Sequence, residues 1–106
     1  MIDKTAIVNS KAKISLNVNI GAYSFIGENV EIGENTIIAG QVGIAGSSVL
    51  GKNVKIGGQA GISGHLKIGD NVEIAGGSGV IKDIADNSKV MGYPAKNIRQ
   101  FLKENK

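Results

Sequence analysis

An aliphatic residue returns at every sixth position for most of this chain, and that period constrains the fold more than any other feature. The series runs Ile2, Val8, Ile14, Ile20, Ile26, Ile32, Ile38, Ile44, Leu50, Ile56, Ile62, Ile68, Ile74 and Val80, fourteen positions without an insertion. Four residues after each stands a small or β-branched residue in most cases, and directly after it often a glycine, as at Gly21, Gly27, Gly33, Gly51, Gly57 and Gly69. A period of six is neither the 3.6 of a helix nor the 2 of an alternating strand. It is the signature of a solenoid in which each repeat supplies one short strand and one turn, and the branched residue fills a narrow interior.

Three hexapeptides close one triangular coil, so residues 18 apart stand above one another. Asn17, Asn35, Asn53 and Asn71 form one such column, as expected for a corner that needs a left-handed backbone. Beside it Glu34, Lys52 and Asp70 alternate in sign, and Lys55 stands over Glu73. Glycines make three more columns: Gly40, Gly58 and Gly76; Gly43, Gly61 and Gly79; Gly46 and Gly64. Fourteen hexapeptides give about 4.7 coils, about 22 Å of height at one inter-strand spacing per coil. The repeat is expected to fail at Asp86. Residues 1–85 then form an all-β parallel helix, and residues 86–106 an exit loop with a short helix near 95–104, whose Ile98, Phe101 and Leu102 share one face.

A chain of 106 residues with 16 glycines and four aromatics has room for one domain with a thin core. The ordering cost of about 1.5 kcal/mol per residue leaves little net stability for a monomer of that kind. Self-association is therefore expected, and Tyr23, Phe25, Ile37 and Val49 fall at outward positions suited to an interface. The net charge of +3 is spread along the chain without a basic block, which suits an anionic small molecule and does not argue for nucleic acid. No cysteine is present, which excludes disulfides, thiolate catalysis and cysteine-bound zinc. No stretch approaches a membrane span and the opening MIDKTAIVNS has no apolar leader core, so a cytoplasmic protein is expected.

The chain has one histidine, His65, at a corner position. Its column reads Asn29, Ser47, His65, Asp83, so Asp83 is expected one coil away, within reach of one imidazole nitrogen, leaving the other free as base or donor. The glycine columns beside it remove side chains and leave a shallow channel for an extended ligand. A plain surface histidine beside corner glycines fits the same residues. A single histidine cannot supply a three-imidazole zinc site, so no metal is expected. Two threonines, Thr5 and Thr36, do not make an ice-binding ladder.

The whole repeat resembles the hexapeptide acyltransferases. The segment QVGIAGSSVLGKNVKIGGQAGISGHLKIGDNVEIAGGSGV is similar to the C-terminal coils of the UDP-3-O-(3-hydroxyacyl)glucosamine N-acyltransferases of lipid A synthesis, over about residues 26–95. The opening MIDKTAIV resembles the start of the UDP-N-acetylglucosamine O-acyltransferases, and GYPAK is shared across the superfamily. The resemblance implies a left-handed coil and a homotrimer with clefts between subunits. It further implies an acyl chain and phosphopantetheine arm along the coils, and a histidine general base. His65 matches the histidine of the GGxxGIxGH segment. The base of the N-acyltransferases lies in a segment patterned IAHNVxIGxN, and there this chain carries Glu28.

Two readings follow. In the first the protein moves an acyl group from acyl carrier protein or coenzyme A, with no bound cofactor, to an amine or hydroxyl of a nucleotide sugar. His65 is then base or thioester partner, Asp83 its orienter and Glu28 a candidate replacement base. Backbone amides near Gly61, Gly64 and Gly79 line the donor channel, and Lys67 and Lys82 meet phosphates. In the second it is a non-catalytic trimeric scaffold or binding module, a fragment or an engineered minimal solenoid.

Overall fold

A computed structural model describes residues 1–105. The chain is a parallel β-solenoid of three faces, built from strands only two residues long in which the first residue points outward and the second inward. Face 1 stacks β1 (Ile7–Val8), β4 (Phe25–Ile26), β7 (Gly43–Ile44), β10 (Gly61–Ile62) and β13 (Gly79–Val80). Face 2 stacks β2 (Lys13–Ile14), β5 (Glu31–Ile32), β8 (Val49–Leu50) and β11 (Lys67–Ile68). Face 3 stacks β3 (Asn19–Ile20), β6 (Ile37–Ile38), β9 (Lys55–Ile56), β12 (Glu73–Ile74) and β14 (Lys89–Met91), with β15 (Lys96–Asn97) paired antiparallel at its end.

The period of six has a direct physical cause. Every sixth residue from Ile20 to Val80 is buried, and the column on each face is a run of aliphatic side chains. Each such side chain taken from water is worth about 2 kcal/mol. Between strands the chain turns through a residue of positive φ, whose N–H then bonds to the coil below, as Asn53 to the Glu34 carbonyl (2.9 Å) and Asn71 to that of Lys52 (2.8 Å). Where the second inward position is polar, it is satisfied within the wall. Ser48 Oγ donates to the Ser63 carbonyl (2.7 Å) and accepts from the Leu66 N–H (3.1 Å). Glycine after the inward residue lets the coils approach: a Cβ on Gly33 would lie 2.4 Å from the Gly51 carbonyl oxygen.

Coils are 18 residues long up to Val80, which sits over Ile62. The next bridge joins Ile68 to Ile84 and the next ladder joins Ile74 to Val90, both 16 apart. The expected failure at Asp86 is thus replaced by a coil two residues shorter, closed between Val80 and Ile84, after which the wall continues past residue 85 to Met91. Carboxylates seal the shortened coil, Asp83 Oδ1 accepting from the Lys67 N–H and Asp86 Oδ1 from the Asp70 N–H, each at 2.8 Å.

The helix α1 (Ile98–Glu104) starts three residues later than expected, capped by Asn97, whose Oδ1 accepts the Arg99 N–H at 3.0 Å. It packs on β14 and β15 and lays Phe101 against Gly92, while Leu102 stays exposed. Lys96 and Glu104 pair across it, and the Lys96 ammonium holds the Glu104 carboxyl below its usual range. Lys106, the last residue of the expected 86–106 segment, lies outside the described residues. At the opposite end Ile2 is exposed and Val8 and Ile14 are only half-buried.

Candidate functional site

On face 1 outward side chains have been withdrawn along a run of coils. Its outward column reads Ile7, Phe25, Gly43, Gly61, Gly79. A Cβ on Gly43 or Gly61 would meet nothing within 4 Å, so these glycines are not required by packing. The result is an open groove of about 490 Å³ running along the solenoid axis. Phe25 closes one end. At the other the ring of Tyr93, from the GYPAK loop, lies on Gly79 so closely that a Cβ there would stand 2.4 Å from it. Gln59 borders one side, Ala45 and Ser63 the other.

The glycine amides on the floor of the groove are already spent. The N–H groups of Gly43, Gly61 and Gly79 donate to the carbonyls of Ala60, Ser78 and Gly92 in the coil above. The expected donor role of the Gly61 and Gly79 backbone amides is therefore corrected, because a parallel wall consumes them. Gly64 lies beside the groove on the adjoining corner, and among the described residues its amide makes no hydrogen bond.

His65 sits on that same corner, two residues beyond Ser63, exposed and with φ of 60°. Its own N–H bonds to the Gly46 carbonyl (3.0 Å), and among the described residues its imidazole makes no hydrogen bond. Asp83 does not stand over it. The two-residue shortening after Val80 carries that carboxylate to the Lys67 N–H, so the expected His65–Asp83 pair is not formed. Glu28 shares the corner two coils below, about 10 Å along the axis, and its carboxylate pairs with Lys11 Nζ at 3.0 Å. Between them lie Gly46, Ser47 and Gly64, with the Ser47 N–H on the Glu28 carbonyl (2.8 Å). Lys67 points outward from face 2 beside Asp83 and Asp86, and Lys82 is exposed in the shortened coil, so neither lines the groove.

Sequence reasoning therefore located the histidine corner and the glycine floor but missed the residues that bound the groove: Phe25 as an end wall, Tyr93 as a cover, and Gln59 along one side, with Gln41 accepting a hydrogen bond from it one coil below. A signal for this glutamine pair was present. Both occupy the left-handed corner position, with φ of 60° and 64°, where asparagine is the residue the turn itself favours. No group of His, Asp or Glu that could hold a metal ion occurs among the described residues, and none of their helices is long and apolar enough to cross a membrane.

The model of the bacterial transferase hexapeptide family (six repeats) matches residues 11–46 and 47–82. An acyl-[acyl-carrier-protein]–UDP-N-acetylglucosamine O-acyltransferase of Thermodesulfovibrio yellowstonii is 49% identical over 45 residues, which are 42% of this chain and 17% of that protein. Among solved structures, the serine acetyltransferase of Neisseria gonorrhoeae superposes with a TM-score of 0.82 at 29% identity, over 88% of this chain and 41% of the other. A hexapeptide-repeat acetyltransferase of Vibrio cholerae, complexed with acetyl coenzyme A, shares the fold at a TM-score of 0.65 and 19% identity, over 93% and 69%. This chain thus spans under half the length of the first two.

Proposed function

We propose, from the premise that this chain belongs to the bacterial transferase hexapeptide family, that it transfers an acyl group from a pantetheine thioester to an amine or hydroxyl. The observation that carries the reading is the open groove over Gly43 and Gly61, which runs beside the corner that holds the single histidine. An extended donor arm lies along the groove, and its thioester comes to the corner. There His65 takes the proton of the acceptor as its nitrogen or oxygen attacks the thioester carbon. The tetrahedral intermediate then collapses, the carbon–sulfur bond breaks, and the thiolate leaves and is protonated. The Gly64 amide supports this step as a donor toward the developing oxyanion.

Coenzyme A or acyl carrier protein is the donor in this reading, in line with what the relatives' names state, and a nucleotide sugar of the lipid A type is the acceptor. Lys67 and Lys82 serve its phosphates from the neighbouring face, and Glu28 stands as a second proton acceptor on the same corner. The reading further takes the protein as a cytoplasmic homotrimer whose adjoining subunit walls the groove; Phe25, Ile37 and Val49, exposed on faces 1, 3 and 2, give each face apolar surface for such contacts. One observation favours a second reading, a non-catalytic scaffold: among the described residues no carboxylate bonds to the His65 imidazole, Asp83 being taken by the Lys67 N–H.

Thiol release from coenzyme A and acyl carrier protein thioesters, with UDP-glucosamine derivatives as acceptors, separates the two readings. Acceptor-dependent release by the native chain, lost in His65→Ala and kept in Glu28→Ala, is expected. A folded native chain that releases no thiol with any pair would overturn transfer in favour of the scaffold.

A further inference from the structure

The corner between faces 1 and 2 departs from asparagine on two consecutive coils. Asn29, Ser47 and His65 stand in one column with φ of 59°, 64° and 60°. Asparagine is the residue such a turn favours, so the backbone does not explain a serine followed by a histidine. The two are stacked closely. His65 donates its N–H to the Gly46 carbonyl at 3.0 Å, and that carbonyl belongs to the peptide group leading into Ser47. Their side chains therefore start about one coil, about 4.8 Å, apart. Ser47 is half-buried and His65 exposed, and among the described residues neither side chain makes a hydrogen bond. At both other corners side chains stacked in this way do meet: Asn71 Nδ2 donates to Asn87 Oδ1 at 3.0 Å, and Gln59 Nε2 to Gln41 Oε1 at 2.9 Å. An imidazole Nδ1 stands as many bonds from its Cα as an asparagine amide atom, so the same gap lies within reach once the ring turns on its side-chain bonds. The carboxylates of this region are engaged elsewhere, Asp83 by the Lys67 N–H and Glu28 by Lys11.

We infer that Ser47 is the positioning residue of His65: its Oγ accepts a hydrogen bond from Nδ1–H and leaves the Nε2 lone pair facing the acceptor. The inference rests on the acyl-transfer reading above and supplies an orienting partner from the coil below. The tautomer is what the contact decides. A free imidazole side chain carries its proton mainly on Nε2, the nitrogen that must be bare to act as a base. A hydrogen-bond acceptor on the Nδ1 side reverses that preference. As the acceptor's nitrogen or oxygen bonds to the thioester carbon, its proton passes to Nε2, and the carbon–sulfur electron pair then leaves with the thiolate. His65 is cationic at that stage, so the bond from Nδ1–H to Ser47 strengthens as the proton is taken. The hydroxyl brings orientation without bringing a charge.

The chain has one histidine, so NMR of isotope-labelled ring nitrogens reads His65 alone. At about pH 8.5, where an ordinary imidazole is neutral, the native chain should hold the ring proton mainly on Nδ1. Ser47→Gly, which suits a left-handed corner and removes the hydroxyl, should return it to Nε2. In thioester turnover Ser47→Gly should lower kcat about tenfold with KM within twofold. Ser47→Asn, which also suits the turn and offers Oδ1 to Nδ1–H, should restore most of that loss. The same tautomer in the native chain and in Ser47→Gly, or equal kcat in the two, would overturn the inference while leaving transfer intact. If the native chain turns over no thioester, the tautomer decides: a proton that moves in Ser47→Gly upholds the contact without transfer, and one that stays overturns both.

Discussion

The corner between faces 2 and 3 and the corner between faces 3 and 1 perform the same turn with different residues. At the first, every left-handed position is asparagine: Asn17, Asn35, Asn53, Asn71 and Asn87. At the second the sequence is Tyr23, Gln41, Gln59 and Gly77, although φ stays near 60° for the first three. The corner between faces 1 and 2 departs as well, through Ser47 and His65 after Asn29. The two departing corners are the ones that flank the glycine face. Residues at the first corner are therefore chosen by the turn, and those at the other two by what lies outside the wall, at a cost in backbone energy of the kind found around functional sites.

His65→Asn is the strongest way to break this comparison. Asparagine fits the corner, so Tm should stay within about 2 °C while acyl transfer falls about 100-fold or more. Unchanged transfer would return His65 to the status of a turn residue. A pair of glycines sharpens the contrast next. Gly33→Ala, which drives a Cβ against the Gly51 carbonyl, should cost about 3 kcal/mol in urea unfolding. Gly61→Ala, with open space before it, should leave stability within about 0.5 kcal/mol and raise donor KM. Equal destabilisation by the two would mean that the groove glycines serve packing.

Asn53→Ala, at the corner where the turn alone selects, should lower stability by about 1 kcal/mol and leave turnover unchanged. The smallest effect concerns the base of the corner between faces 3 and 1. There the Thr5 hydroxyl accepts from the Tyr23 N–H and donates to Asp3 (2.7 Å), and that hydroxyl, with the Thr5 N–H, holds the Asp3 carboxyl below its ordinary range. A carboxyl depressed in the folded state stabilises above its unfolded pKa, and this contribution is lost as pH falls through the folded value. Melting followed from about pH 6 to about pH 3 should therefore show a slightly shallower decline for Asp3→Asn than for the native chain; identical curves would remove Asp3 from the account.

The period of six carried the architecture because every inward position from Ile20 to Val80 obeys it and nothing else in the chain competes. The shortened coil was illegible for a particular reason. Ile84 falls four residues after Val80, where a small or branched residue was already expected, so the loss of two residues left the pattern looking intact. That one concealed shift separates His65 from Asp83. The glycine floor was legible as a column, but its spent amides were not, since only the pairing of coils reveals where each N–H goes. Tyr93 reaches Gly79 from a loop that carries no period at all. Gln41 and Gln59 were visible as departures from asparagine, a signal that matters only once the corner is known to be left-handed.

The uniform coil has a consequence for how such a chain can change. Insertion of one whole coil, 18 residues, restores every face, corner and column above it, whereas most other insertions would turn the inward residues out. Reach along the axis is then a counted quantity, altered in increments of about 4.8 Å while the cross-section stays the same. Only the closing coil, sealed by Asp83 and Asp86 and followed by a helix, tolerates an irregular length. Gene duplication inside the wall and sequence drift at its end thus act on separate properties, the span of what is bound and the shape of what covers it.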